Sequence, residues 1–224
     1  SGIFFYLILR KLIDNENFCF LGTIIYLTFP YLFGQSMFSP KDVPFMSVWL
    51  MCTYIGFTIF EKIIYENQIK FKYLIIFSLS TAYLLSIRFA GILIFIQYFM
   101  TFLIFLNSYN INFTKFIKKF YGSLLIFIIL FFLFIFLLYP ILWIDPSLLI
   151  TTFKVNASHF NNVGTTTLGE IMYATKLPST YLLIWLSVKL PLLVLVGILT
   201  IPFTEKLIFD NKKRVIYFGT ILSS

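Results

Sequence analysis

Between Phe120 and Ile144 the chain runs for 25 residues without a charge. About 20 apolar residues in a helix are enough to cross the ~30 Å hydrocarbon core of a bilayer. In lipid, only an α-helix or a closed barrel satisfies every backbone donor and acceptor. Phe18–Phe38 and Val43–Phe60 are also free of charge, and Thr180–Phe203 carries one, Lys189. Charged residues make up only 12% of the 224 positions, hydrophobic residues 60%, and the mean hydropathy is +0.94. A soluble domain carries about 25% charged residues. A water-soluble globule and a disordered chain are both excluded, and the composition predicts an all-α polytopic transmembrane bundle.

The basic residues give that bundle an orientation. The formal net charge is +8, but the cations form short clusters between apolar runs, with no stripe suited to nucleic acid. No nucleic-acid partner is expected. Clustering between crossings is the positive-inside pattern. Tyr73–Thr114, 42 residues, is too long for one crossing at 1.5 Å per residue. Arg88 and Gly91 lie inside it, in LSIRFAGIL, and a split there yields two short helices. The split puts Arg10-Lys11, Lys62/Lys70/Lys72, Lys115/Lys118/Lys119 and Lys206/Lys212/Lys213/Arg214 on one side, twelve of the 17 basic residues. That side is then cytoplasmic.

Three segments fall on the opposite face: an outer loop of about residues 34–43, the Arg88 turn, and a long loop over about 140–178. The last is too long for a mere connector. Pro146–Ile150 and Leu168–Ala174 have apolar faces that predict short surface helices in it. The count is about six to eight crossings in a single transmembrane domain, 1–224. IFFYLILRKL at one end and RVIYFGTILSS at the other are each about half a crossing. The chain therefore reads as an internal fragment of a longer membrane protein.

Few residues remain that could carry chemistry. Asp42, in SPKDVP, suits a helix N-cap, or an acid that orients a hydroxyl or helps hold a divalent metal beside a phosphate. Arg88, between apolar neighbours, can snorkel to headgroups or bind phosphate through its planar fork. Lys189 lies well inside an apolar run just before Pro191, where a cation needs a carboxylate, a carbonyl or a ligand phosphate. Glu170, in TTTLGEIMY, is a capping acid or a site acid. His159, in NASHFNN, reads as a solvated loop histidine, and Asn156-Ala157-Ser158 as a formal glycosylation acceptor. With one histidine in the chain, a multi-His metal site is excluded, and Cys19 and Cys52 read as small core residues. There is no GxxxxGK, GxSxG, CxxC or HExxH.

In order and spacing these segments resemble GT-C glycosyltransferases, the multi-spanning enzymes related to dolichyl-phosphate-mannose–protein mannosyltransferases and aminoarabinose transferases. GQSMFSPKDVPFMSVWLMCTYIGF resembles the second outer loop and next helix, and LSIRFAGILIF the small–Thr/Ser–Arg–x–x–Gly turn. YPILWIDP and LGEIMYATKLPSTYLLIWLSVKLPLLVLVG are similar to a bacterial branch with a Gly-Glu, a Leu-Pro-Trp-His-Tyr and a Lys-x-Pro. The resemblance implies an enzyme of the bacterial inner membrane with its active face to the periplasm. It would move a sugar from a polyprenyl-phosphate donor to a glycan, lipid or protein acceptor. Asp42 and Glu170 would be its catalytic acids, and Arg88 and Lys189 would bind the donor phosphate. A metal is an open possibility of that chemistry. The family's first outer loop, with its general base, would lie upstream of Ser1, and Ser179-Thr180 replaces Trp-His. The fragment is therefore expected to be inactive alone. A lipid-linked glycan transporter or flippase, which would show broken helices and a midplane site, and a non-catalytic polytopic protein are the competing readings.

Overall fold

The computed structural model describes residues 1–148, 150–151, 155, 164–167, 169–173, 176–200 and 212–222. His159, the Asn156 acceptor and Lys206 lie outside the described residues. The chain forms two compact units: Ser1–Tyr139 together with Glu205–Ser224, and Pro140–Thr204.

The regular structure of the larger unit is helical among its described residues, with helices α1 (Gly2–Leu12), α2 (Glu16–Leu27), α3 (Pro30–Phe38), α4 (Asp42–Glu66), α5 (Phe71–Ile87), α6 (Ile94–Tyr109) and α7 (Phe113–Leu138). Their boundaries follow local chemistry. Asn15 accepts a hydrogen bond from the Asn17 N–H at 2.9 Å and so caps α2. Pro30 opens α3, where its missing N–H costs nothing. Asn67 and Asn110, at φ 55° and 51°, end α4 and α6 in the left-handed region that asparagine tolerates. Asn112 caps α7. This helix starts seven residues before the charge-free run, because Lys115, Lys118 and Lys119 ride on its first turns.

The split at Arg88 is present. α5 stops at Ile87, Arg88 is extended, and a 3₁₀ turn, Phe89–Leu93, leads into α6. Gly91 makes the reversal possible, since a Cβ there would lie 3.0 Å from the Leu84 carbonyl. The expected count of six to eight crossings is too high. Among the described residues three helices are long and apolar enough to cross a membrane, or up to five if two bent pairs are each one crossing. α5 stops short at 17 residues because Arg88 ends it. The run Phe18–Phe38 is broken by 50° ahead of Pro30.

α4 pairs with α5, and α5 lies along α7. The final helix of this unit, Lys212–Leu222, packs on α6 and α1. Two apolar clusters fill the interior. One joins Phe57, Ile63, Phe105, Phe120, Ile216 and Tyr217; the other joins Val48, Cys52, Leu84 and Ile94. Around them lie buried polar groups. Gln97 donates to Thr53 Oγ1 at 3.1 Å and Thr101 to Thr220 Oγ1 at 2.9 Å, while Ser78 donates to the Phe127 carbonyl at 3.3 Å. Between apolar helices in lipid, close packing and such hydrogen bonds take the place of the hydrophobic drive. The outward side of α7 leaves Ile129 and Phe132 more than half exposed, as a lipid-facing surface would. Cys19 and Cys52 are buried free thiols.

In the smaller unit, a 3₁₀ turn at Pro140–Trp143 is followed by helical hydrogen bonding from Ile150 and Thr151 to the Ser147 carbonyl. Among the described residues of 168–174 the expected surface helix is absent. Instead β1 (Gly164–Thr167) and β2 (Glu170–Tyr173) form an antiparallel hairpin. Three threonines favour a strand, and Gly169, at φ 87°, supplies the turn. Thr180–Phe203 is not one helix either. α8 (Tyr181–Lys189) ends before Pro191, and α9 (Leu192–Thr200) follows.

Candidate functional site

Asp42 sits in the first turn of α4 and Arg88 at the end of α5, 46 residues apart, yet an Arg88 guanidinium N–H donates to Asp42 Oδ1. Antiparallel pairing of α4 and α5 brings them to the same end of the unit. The other carboxylate oxygen accepts from the Ser39 hydroxyl at 2.6 Å, and Ser39 Oγ in turn accepts the Asp42 N–H at 3.4 Å. Ser39 lies two residues ahead of the Lys41 N-cap, so these bonds hold the Asp42 carboxylate in place and do not form a capping box. Asp42 is thus not the N-cap of α4, which is Lys41, but an acid in its first turn, where the helix dipole favours it, and the partner of Arg88.

The pair opens on a cleft of about 380 Å³ whose walls include Phe29, Leu32, Gln35, Val43 and Met46. Such a volume is at the lower end for small-molecule sites. Both charged side chains are nearly half exposed, at 45% for Arg88 and 43% for Asp42. The guanidinium has five N–H donors, so pairing with Asp42 leaves donors for an anion in the cleft. A few residues away Tyr139 donates its hydroxyl to the Leu85 carbonyl at 2.8 Å, which ties the end of α7 to this end of α5. Burial pushes the Tyr139 phenol above its ordinary pKa, so it stays a donor.

The opposite end of the same unit collects the basic clusters. Lys11 pairs with Glu61 at 2.6 Å, Arg214 with Asp14 at 2.5 Å, and Lys119 donates to Asn67 Oδ1 at 2.6 Å. Lys62 and Lys70 both pair with Glu66. Arg88 is thus at one end of the helices and these cations are at the other.

The other two expected site residues belong to the smaller unit. Glu170 opens β2 opposite Thr167 and is exposed. Lys189 is the last residue of α8, not the middle of an unbroken helix. It is exposed, and its ammonium lies 4.7 Å from the centre of the Trp185 ring. A cation at a helix C-terminus also complements the helix dipole.

Two polar residues escape the sequence reading, Ser39 beside Asp42 and Gln97 in the bundle interior. Ser39 is readable in hindsight from its spacing to Asp42. Gln97 is a lone polar residue in IFIQYF, fully buried, with Oε1 lacking a partner among the described residues. Among the described residues no group of three or more His, Cys, Asp or Glu side chains could hold a metal ion. Set against known families, curated proteins and solved structures, the chain has no significant match in any of the three.

Proposed function

We propose that the chain serves a GT-C-type membrane glycosyltransferase activity, moving a sugar from a polyprenyl-phosphate donor to an acceptor on the non-cytoplasmic face. The observation that carries this reading is the Asp42–Arg88 pair on an open cleft, at the end of the helices opposite the basic clusters. By the positive-inside rule that end faces away from the cytoplasm. In a bacterial inner membrane it would face the periplasm.

The chemistry follows from the two groups. The leaving group is a lipid phosphate, and a fixed guanidinium stabilises the charge that develops on it. Asp42, held by Arg88 and Ser39, is placed to orient an acceptor or sugar hydroxyl. In this reading Glu170, on the smaller unit, is an acid of the reaction and Lys189 a phosphate ligand. A divalent metal, if the reaction uses one, would draw on Asp42. The acceptor in this reading is a glycan, a lipid or a protein.

The two bent helix pairs, α2 with α3 at 50° and Tyr181–Lys189 with Val194–Thr200 at 116°, favour a second reading, a lipid-linked glycan transporter. Broken helices are a transporter feature. Product analysis separates the two. Proteoliposomes holding the full-length protein are given labelled polyprenyl-phosphate sugar and candidate acceptors. The enzyme reading expects free polyprenyl phosphate and labelled acceptor. Donor that crosses the bilayer intact, with no acceptor labelled, would contradict it.

A further inference from the structure

The basic end of the larger unit holds a second cleft, of about 280 Å³, lined among others by Asn67, Tyr109, Lys115 and Lys119. It shares Ile63, Phe116 and Phe120 with a groove of about 290 Å³ that runs between α4, α5, α6 and α7. The groove wall is almost wholly apolar and includes Ile59, Phe77, Phe102 and Phe127. Phe99 and Leu124, 57% and 47% exposed, stand on its rim, so it opens sideways toward the lipid-facing surface. Along α7 it extends from Phe116 to Phe127, about 16 Å at 1.5 Å per residue. That is close to half of the ~30 Å hydrocarbon core, the depth of one leaflet.

The cations at its mouth are in excess. Of the acids at this end, Glu61 is engaged by Lys11 and Tyr217, and Glu66 by Lys62 and Lys70. Lys119 reaches the neutral amide of Asn67 and the face of the Phe120 ring, and neither it nor Lys115 has an acidic partner among the described residues. Lys115 also sits in the first turn of α7, where the helix dipole favours anions and disfavours cations. A phosphate between the two lysines would offset both effects. Basic pockets between membrane helices suit anionic headgroups in this way.

We propose that this end of the bundle is a binding site for an anionic phospholipid of the adjoining leaflet. Lys115 and Lys119 take the headgroup phosphate, and one acyl chain lies in the apolar groove. The site is separate from the Asp42–Arg88 cleft and does not depend on glycosyl transfer.

Native mass spectrometry of the delipidated full-length protein tests it. The probes are phosphatidylglycerol, phosphatidylethanolamine with the same acyl chains, and glycerol phosphate as the headgroup alone. The expected result is that phosphatidylglycerol is retained about tenfold better than phosphatidylethanolamine, while glycerol phosphate does not compete. Substituting both lysines (Lys115→Gln with Lys119→Gln) should erase the preference, whereas Lys118→Gln keeps it. Ser123→Phe, which fills the groove, should weaken phosphatidylglycerol retention with the lysines intact. Equal retention of the two lipids by the unaltered protein would overturn the proposal. So would competition by glycerol phosphate, or a preference that survives loss of both lysines.

Discussion

At the scale of single residues, Asp42 and Arg88 do two things at once. Their ion pair ties the start of α4 to the α5–α6 reversal, and it presents a cation and a carboxylate to one cleft. The stabilising share is small, because half-exposed pairs contribute only ~0–1 kcal/mol. Arg88→Gln should therefore lower the unfolding free energy by no more than about 1 kcal/mol, read as a shift in thermal midpoint in detergent. A loss several times larger would make the pair a structural staple first. Gln97 is the opposite case. Its bonds to Thr53 and Thr220 are wholly interior, and hydrogen bonds between membrane helices average ~0.6 kcal/mol with a maximum near 1.7. Gln97→Leu removes those bonds but also removes an unsatisfied oxygen, so a destabilisation of at most about 1 kcal/mol is expected.

At the scale of elements, the Arg88 reversal depends on Gly91. A methyl group there meets the Leu84 carbonyl at 3.0 Å, and overpacking of this kind costs about 1–3 kcal/mol. Gly91→Ala should lower the thermal midpoint clearly, whereas Gly122→Ala, on an open face of α7, should leave it unchanged or raise it. The reversal is legible in the sequence because a charge and a glycine interrupt one apolar run. Other boundaries are not. Hydropathy reads Phe18–Phe38 as one crossing because Pro30 adds no charge, although it opens a new helix. It also starts α7 too late, since lysines leave a run's hydropathy but not its helix. The 164–173 hairpin is missed because Leu168–Ala174 looks amphipathic at helical spacing. The local preferences of Thr165–Thr167 and Gly169 decide the matter instead. Within the candidate site, Asp42 and Arg88 are legible one by one as charges out of place. Their contact is a tertiary fact that needs α4 and α5 to be paired in register.

At the scale of the whole molecule, the larger unit has two chemically distinct ends. One carries Asp42 and Arg88, and the other gathers Lys11, Lys62, Lys119 and Arg214 among acids and an asparagine. Single-cysteine labelling tests that polarity in intact membranes. Lys41→Cys and Lys118→Cys should react from opposite sides, against a low background because Cys19 and Cys52 are buried. Reaction from the same side would contradict the two-helix reading of Tyr73–Thr114. The central claim is that the Asp42–Arg88 end transfers sugar from a lipid phosphate. Its most direct test is kcat/KM for that transfer by the full-length protein and its Arg88→Gln and Asp42→Asn variants. The account predicts a loss of at least about tenfold in each, ~1.4 kcal/mol of transition-state stabilisation, in protein that remains folded. Wild-type kcat/KM in both variants would contradict it.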